Sequence, residues 1–160
     1  MSDFVPTIDT LGDAALTDSI LDRSITEFLD NLATSIGDSA FRDCTKLTSV
    51  SLPAATSIST SAFYSCSALT SISLPAATSI GSSAFYNCSK LEALILENAD
   101  AVCQLSSTSA LSGTLIASGT GYIYVPSALV DTYKAATNWS TYANQIRAIE
   151  DYPEICRTSE

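Results

Sequence analysis

The chain has 160 residues, 46% hydrophobic and 15% charged, with 17 acidic side chains against 7 basic ones and no histidine. That length suits one modest domain with its own apolar core. A net charge of −10 argues against nucleic acid, because phosphate contacts need clustered Lys or Arg. The missing histidine removes the usual general base, the Ser-His-Asp and Cys-His arrangements, and histidine-containing zinc sites.

The first stretch carries Asp3 and no basic residue before Arg23, so it has neither the charged nor the apolar region of a secretory signal. No run approaches the roughly 18 apolar residues of a membrane helix, and membrane insertion is not expected. Three settings fit: the cytosol, a signal already removed, or export without one, as for a virion component. Leu16, Ile20 and Leu21 predict a short helix ending near Arg23, and residues 1–24 read as an N-terminal cap.

An internal repeat organises the middle of the chain. Cys44, Cys66 and Cys88 stand 22 apart, as do Ile36, Ile58 and Ile80, then Phe41, Phe63 and Phe85, then Leu47, Leu69 and Leu91. Aligning the stretch from Thr34 with the stretch from Thr56 gives 15 identities in 22 positions. Within a unit, Leu69, Ile72 and Leu74 follow Leu-x-x-Leu-x-Leu, which puts alternate residues of a short strand on one inward face. Pro53 and Pro75 end the strands at once. Ala62, Phe63 and Cys66 sit at offsets that predict about a turn of helix facing the core. One such coil cannot bury its own apolar side, so the coils stack, with strands parallel and the inward rows joined. The predicted fold class is α/β: a short solenoid of 22-residue coils with a parallel sheet face over residues 25–126.

The unit resembles the BspA-type leucine-rich repeat, most clearly in Ser-Ile-Gly-Ser-Ser-Ala-Phe-Tyr-Asn-Cys-Ser-Lys-Leu from Ser79 to Leu91. Three units match from Thr34 to Leu96, with a degenerate one before them in which Ile25 and Phe28 precede Leu47 and Val50 by 22. The stretch from Gly121 through Ala148 resembles the closing segment found after such repeats in gut-bacterial and phage proteins. Membership implies a recognition surface on the strand face and leaves the ligand open, because packing residues define the family.

Beyond the repeats, Ser106 to Gly121 is rich in Ser, Thr and Gly and reads as irregular coil. Tyr122 to Val125 predicts a last strand stopped by Pro126, after which Ser127 caps a helix bearing Leu129, Val130, Tyr133 and Ala136. Residues 127–149 are thus a C-terminal helical cap, and 150–160 a loose tail. Nine acids precede Cys44 and eight follow Leu91, which together make the 17, so charge gathers at the ends, where it opposes end-to-end stacking. The late aromatics, Tyr122, Tyr124, Tyr133, Trp139 and Tyr142, suit closure of the solenoid end better than a sugar platform. Tyr64 and Tyr86 form a more exposed pair on the back.

The candidate binding face is Thr48, Ser49 and Ser51, then Thr70, Ser71 and Ser73, then Glu92, Ala93 and Ile95. The outward pattern breaks at Ile95; a single exposed apolar residue is ordinary, and the alternative is a cover from the C-terminal segment or a second chain. Cys44, Cys66 and Cys88 read as buried thiols whose side chains run parallel, Cys103 as packing, and Cys156 as the reactive one. No catalytic constellation, metal site or nucleotide motif appears, and no cofactor is expected. The reading is a non-enzymatic recognition or attachment module for a protein or glycan, on a bacterial surface or phage particle. The alternative is a structural subunit of a virion or surface assembly that contacts its own copies or its neighbours.

Overall fold

The computed structural model describes residues 25–153. Each coil contributes two short strands: β1 (Glu27–Leu29) and β2 (Ser35–Ile36), β3 (Ser49–Ser51) and β4 (Ser57–Ile58), β5 (Ser71–Ser73) and β6 (Ser79–Ile80), β7 (Ala93–Ile95) and β8 (Gln104–Leu105). β9 (Tyr122–Val125) and β10 (Ile146–Ala148) come after them. They form a six-stranded sheet in the order β1-β3-β5-β7-β9-β10 and a four-stranded sheet in the order β2-β4-β6-β8. Every pairing is parallel. The second sheet is an addition to the single strand face expected from the sequence; the α/β solenoid itself stands.

The 22-residue period is the register: Phe28 lies opposite Val50, Ser51 opposite Ser73 and Ile58 opposite Ile80. Identical side chains therefore stack on one another. Phe41, Phe63 and Phe85, all fully buried, stack in parallel with centroids 5.0 and 5.4 Å apart, and Phe28 closes the row edge-on at 4.9 Å. Offset rings at this spacing add to the apolar burial they already supply.

The helical turn expected over Ala62 to Cys66 is absent. Ser39, Ser61 and Ser83 take φ of 57–58°, and Asp43, Ser65 and Asn87 take φ of 60–63°, the left-handed region that no α-helix tolerates. The segment becomes a chain of tight turns, with Ala62 N–H donating to Ser59 O and Cys66 N–H to Phe63 O. Its remaining amides point along the stack: Phe41 N–H donates to Ala62 O at 2.7 Å and Phe63 N–H to Ala84 O at 2.7 Å. A helix would have consumed those groups internally. The left-handed residues aim them at the next coil.

Residues 106–121 also depart from the irregular coil expected of them. They form a further coil, in which Phe85 N–H meets Ala110 O as Phe63 N–H meets Ala84 O, and Ala110, Leu111 and Ile116 are buried. Insertions hide it from the period, since Ile80 pairs with Leu105 and Leu94 with Ile123, steps of 105 − 80 = 25 and 123 − 94 = 29. Gly121 is required here, because a Cβ would lie 2.7 Å from Glu92 O.

The C-terminal segment is less helical than its pattern suggests. A 3-10 turn at Ser127–Leu129 leads into α1 (Val130–Ala135), a second 3-10 segment spans Trp139–Gln145, and β10 then rejoins the sheet beyond residue 126. Ser127 makes no side-chain cap; its N–H donates instead to Glu150 Oε1 at 2.8 Å. Glu150 and Asp151, expected in a loose tail, belong to a 3-10 turn anchored by buried Ile149. The N-terminal cap and the tail from residue 154 on, with Cys156, lie outside the described residues.

Phe63→Ala removes the central ring of the stack and should cost about 3–5 kcal/mol in urea melts. Ser71→Ala, on an exposed outward position, should stay within about 0.5 kcal/mol. Equal losses would refute the inward and outward assignments.

Candidate functional site

Along the six-stranded sheet the outward side chains form two columns. One runs Glu27, Ser49, Ser71, Ala93, Tyr122, and the other Leu29, Ser51, Ser73, Ile95, Tyr124. Thr48, Thr70, Ser49, Ser71 and Glu92 are exposed, and Ser51 and Ser73 are half-buried. Thr48 is held to the stack by its hydroxyl, which donates to Thr26 O at 3.1 Å.

Ala93 and Ile95 leave this face. They are 7% and 1% exposed, packed with Tyr124 and Ile149 and flanked by Tyr122 and Tyr152. The chain beyond β10 folds back over the sheet, and Tyr152 meets the Tyr124 ring edge-on at 5.2 Å. Arg147 lies 4.6 Å over the Tyr122 ring at the same end. The cover anticipated for Ile95 is thus the C-terminal segment. It confines the open face to β1, β3 and β5.

That open half is a trough of ≈ 430 Å³ floored by Ser49, Ser51, Ser71 and Ser73 with Val50 between them. Glu27 and Leu29 line it on the β1 side, Leu29 being 48% exposed, and β7, with the covered Ile95–Tyr124 cluster, follows β5 in the sheet. Ser73 donates its hydroxyl proton to Glu97 Oε1 at 3.2 Å. Glu27, Leu29 and Glu97 were missed from the sequence although Glu27 and Leu29 stand 22 before Ser49 and Ser51; the weak first unit concealed that spacing. Ile149 and Tyr152 carried no repeat signal at all.

The remaining candidates are structural. Tyr133, Trp139 and Tyr142 are buried, and their polar tips finish the stack: Tyr133 Oη accepts from Cys103 N–H at 2.8 Å, while Trp139 Nε1 donates to Cys103 O at 2.6 Å and Tyr142 Oη to Thr108 O at 2.7 Å. Asn138 Nδ2 donates to Leu105 O at 2.7 Å. Side chains here replace the backbone of a coil that does not follow β8, which accords with closure of the solenoid end. Cys44, Cys66, Cys88 and Cys103 are buried thiols. Cys66 and Cys88 donate to Phe41 O and Phe63 O, each at 3.0 Å. The adjoining Cys88 thiol, and burial after it, push the Cys66 thiol far above its usual range. Burial raises Cys103 and Tyr133 to about 12.

Stacked parallel coils joined by a 22-residue register define the chain as a leucine-rich-repeat solenoid. The family profile of the BspA-type leucine-rich repeat region, with six copies, matches residues 9–120, and the chain belongs to that family. The match extends the array at both ends beyond the units legible by eye. Among solved structures, the crystal structure of a leucine-rich repeat protein of T. pallidum is similar, at a TM-score of 0.53 and 25% identity over 64% of this chain and 46% of that one. The chain therefore spans less than half the length of that protein. No curated protein matches it. Leucine-rich repeats generally mediate protein binding and are typically non-enzymatic.

Ile95→Ser exchanges a buried aliphatic chain for a hydroxyl under the C-terminal cover, and should cost about 2–4 kcal/mol. Tyr152→Ala should cost less when combined with it than alone; strict additivity in a double-mutant cycle would mean the two do not share a core.

The thiols and Tyr133 set an alkaline limit. Their folded pKa values lie above the ordinary 9.0 and 10.0, so the unfolded chain loses protons first and stability falls as pH rises. Urea midpoints should hold up to about pH 9 and decline toward pH 12, and reductant should leave them unchanged at neutral pH. A large loss in reductant would reveal a disulfide.

Proposed function

We propose that the chain is a non-enzymatic recognition module that binds a protein partner through the open half of its strand face, on a bacterial surface or phage particle. One observation carries the reading: the trough over β3 and β5, lined by small hydroxyl side chains with Glu27 and Leu29 on the β1 side, is a concave site that the fold leaves open while covering the rest of the same face. The binding role usual for leucine-rich repeats and the likeness to a bacterial protein support it. Thr48, Ser49, Ser51, Thr70, Ser71 and Ser73 are the proposed contacts, with Glu27 and Leu29 added at one end and Glu92 at the margin. Ala93 and Ile95 act as the underside of the covering segment.

Ser71→Trp fills the trough from an exposed position and should leave the melting temperature within a degree or two. Peptides enriched from a random display library on the native chain should bind this variant at least tenfold more weakly. Glycan-array hits blocked by the same variant would make the ligand a sugar. A dimer in light scattering that the variant dissolves would make the trough a self-assembly contact.

A further inference from the structure

Outside the strand face, the turn segments of successive coils build a column of a different kind. Arg42, Tyr64 and Tyr86 occupy one position at 22-residue steps. The Arg42 guanidinium lies 4.4 Å over the Tyr64 ring, whose other face stacks on Tyr86 at 5.0 Å and 15°. The coil register identifies the next position. Ser65 N–H donates to Tyr86 O, and one coil further Asn87 N–H donates to Ser112 O, each at 2.8 Å. Ser112 is therefore the next member of the column, and it is too short to cover a ring. Gly113 follows it with φ +82°, and it brings no side chain of its own to that end of the column. Tyr86 is 37% exposed and, with Leu29 and Leu32, one of the exposed large hydrophobic side chains among the described residues.

We propose that the open face of Tyr86 receives an arginine side chain of a partner protein, so that the two stacked tyrosines carry a guanidinium at each end. The chemistry is already present on the molecule. Arg42 on Tyr64, and Arg147 on Tyr122 at 4.6 Å, show that these ring faces take a guanidinium at stacking distance. A ring stacked on a second ring keeps the negative potential of its outer face. The chain as a whole carries a net charge of −10, which draws a cationic partner to it. A planar guanidinium seats flat above Ser112 at the height Arg42 occupies at the other end, and keeps its edge N–H groups free for water or neighbouring oxygens. This site is separate from the trough, so it adds a second, charge-reading contact on a different side of the coil.

The test uses the full chain with ¹³C-labelled tyrosine rings, titrated with a blocked Gly-Arg-Gly peptide, its citrulline counterpart and methyl glucoside. Citrulline keeps the shape and loses the charge. The proposal expects the arginine peptide to shift the Tyr86 ring more than any other and citrulline to be about two- to fivefold weaker. Ser112→Arg supplies the missing guanidinium from within the chain. It should abolish the peptide-induced shift and move the Tyr86 resonance, with no peptide present, toward its peptide-bound position. Tyr86→Leu should remove the response altogether while the remaining ring resonances stay in place. Equal shifts from citrulline, larger shifts from the glucoside, or a peptide response that survives Ser112→Arg would each overturn the proposal. None of these outcomes depends on whether the trough binds protein.

Discussion

Every backbone amide that a coil does not use within itself must find its carbonyl on the neighbouring coil, and the rest of this structure depends on that demand. Buried unpaired amides are too costly to leave. The three sides of a coil meet the demand in different ways. Two sides do so as parallel strands. The third does so through tight turns held open by left-handed residues, where Phe41, Phe63 and Phe85 send their N–H groups to the adjacent coil. Left-handed φ at Ser39, Ser61 and Ser83 costs some conformational energy, roughly 1 kcal/mol each. The bonds it enables, and the phenylalanine stack that sits beneath them, more than offset that cost.

The same demand explains the C-terminal end. After β8 the four-stranded sheet has no further strand, so its outward groups need partners of another kind. Tyr133, Asn138, Trp139 and Tyr142 bring polar atoms on bulky side chains, which satisfy Cys103, Leu105 and Thr108 and cover the apolar row at once. The six-stranded sheet continues further, through β9 and β10, and the chain then turns over its outward face. What remains open is decided by where that covering segment stops. The open part of the face is thereby delimited by a closing device: the serine trough is the portion of the strand face outside the cluster that Ile149 and Tyr152 cover.

The trough and the tyrosine column are also consequences of stacking identical positions. Small residues repeated at Ser49, Ser51, Ser71 and Ser73 make a depression beside the larger Glu27 and Leu29 of the same columns. An aromatic residue repeated at Tyr64 and Tyr86 makes a stack because the coil step sets the rings 5.0 Å apart, within the centroid range of favourable ring pairs. A break in either column, at Ile95 or at Ser112, creates an edge. Surface chemistry in such a fold resides in where a repeat departs from itself.

The sequence by itself determined the coil length, the inward rows of Phe, Cys, Ile and Leu, the parallel stacking and the outward serines, because these recur at a fixed step and need only local alternation to be read. It also marked Ile95 as the break in the outward pattern, either an ordinary exposed residue or one beneath a cover. It did not determine the second sheet, whose two-residue strands are too short to show alternation. It concealed the left-handed turns behind serines, which carry no glycine signal, and the coil from Ser106 behind insertions that moved its register. Only the tertiary structure decided which segment covers Ile95, that Glu27 and Leu29 line the trough, and that Ser112 follows Tyr86 in its column. Those facts depend on contacts between residues without common spacing, and such contacts exist only once the coils have stacked and the end has closed over them.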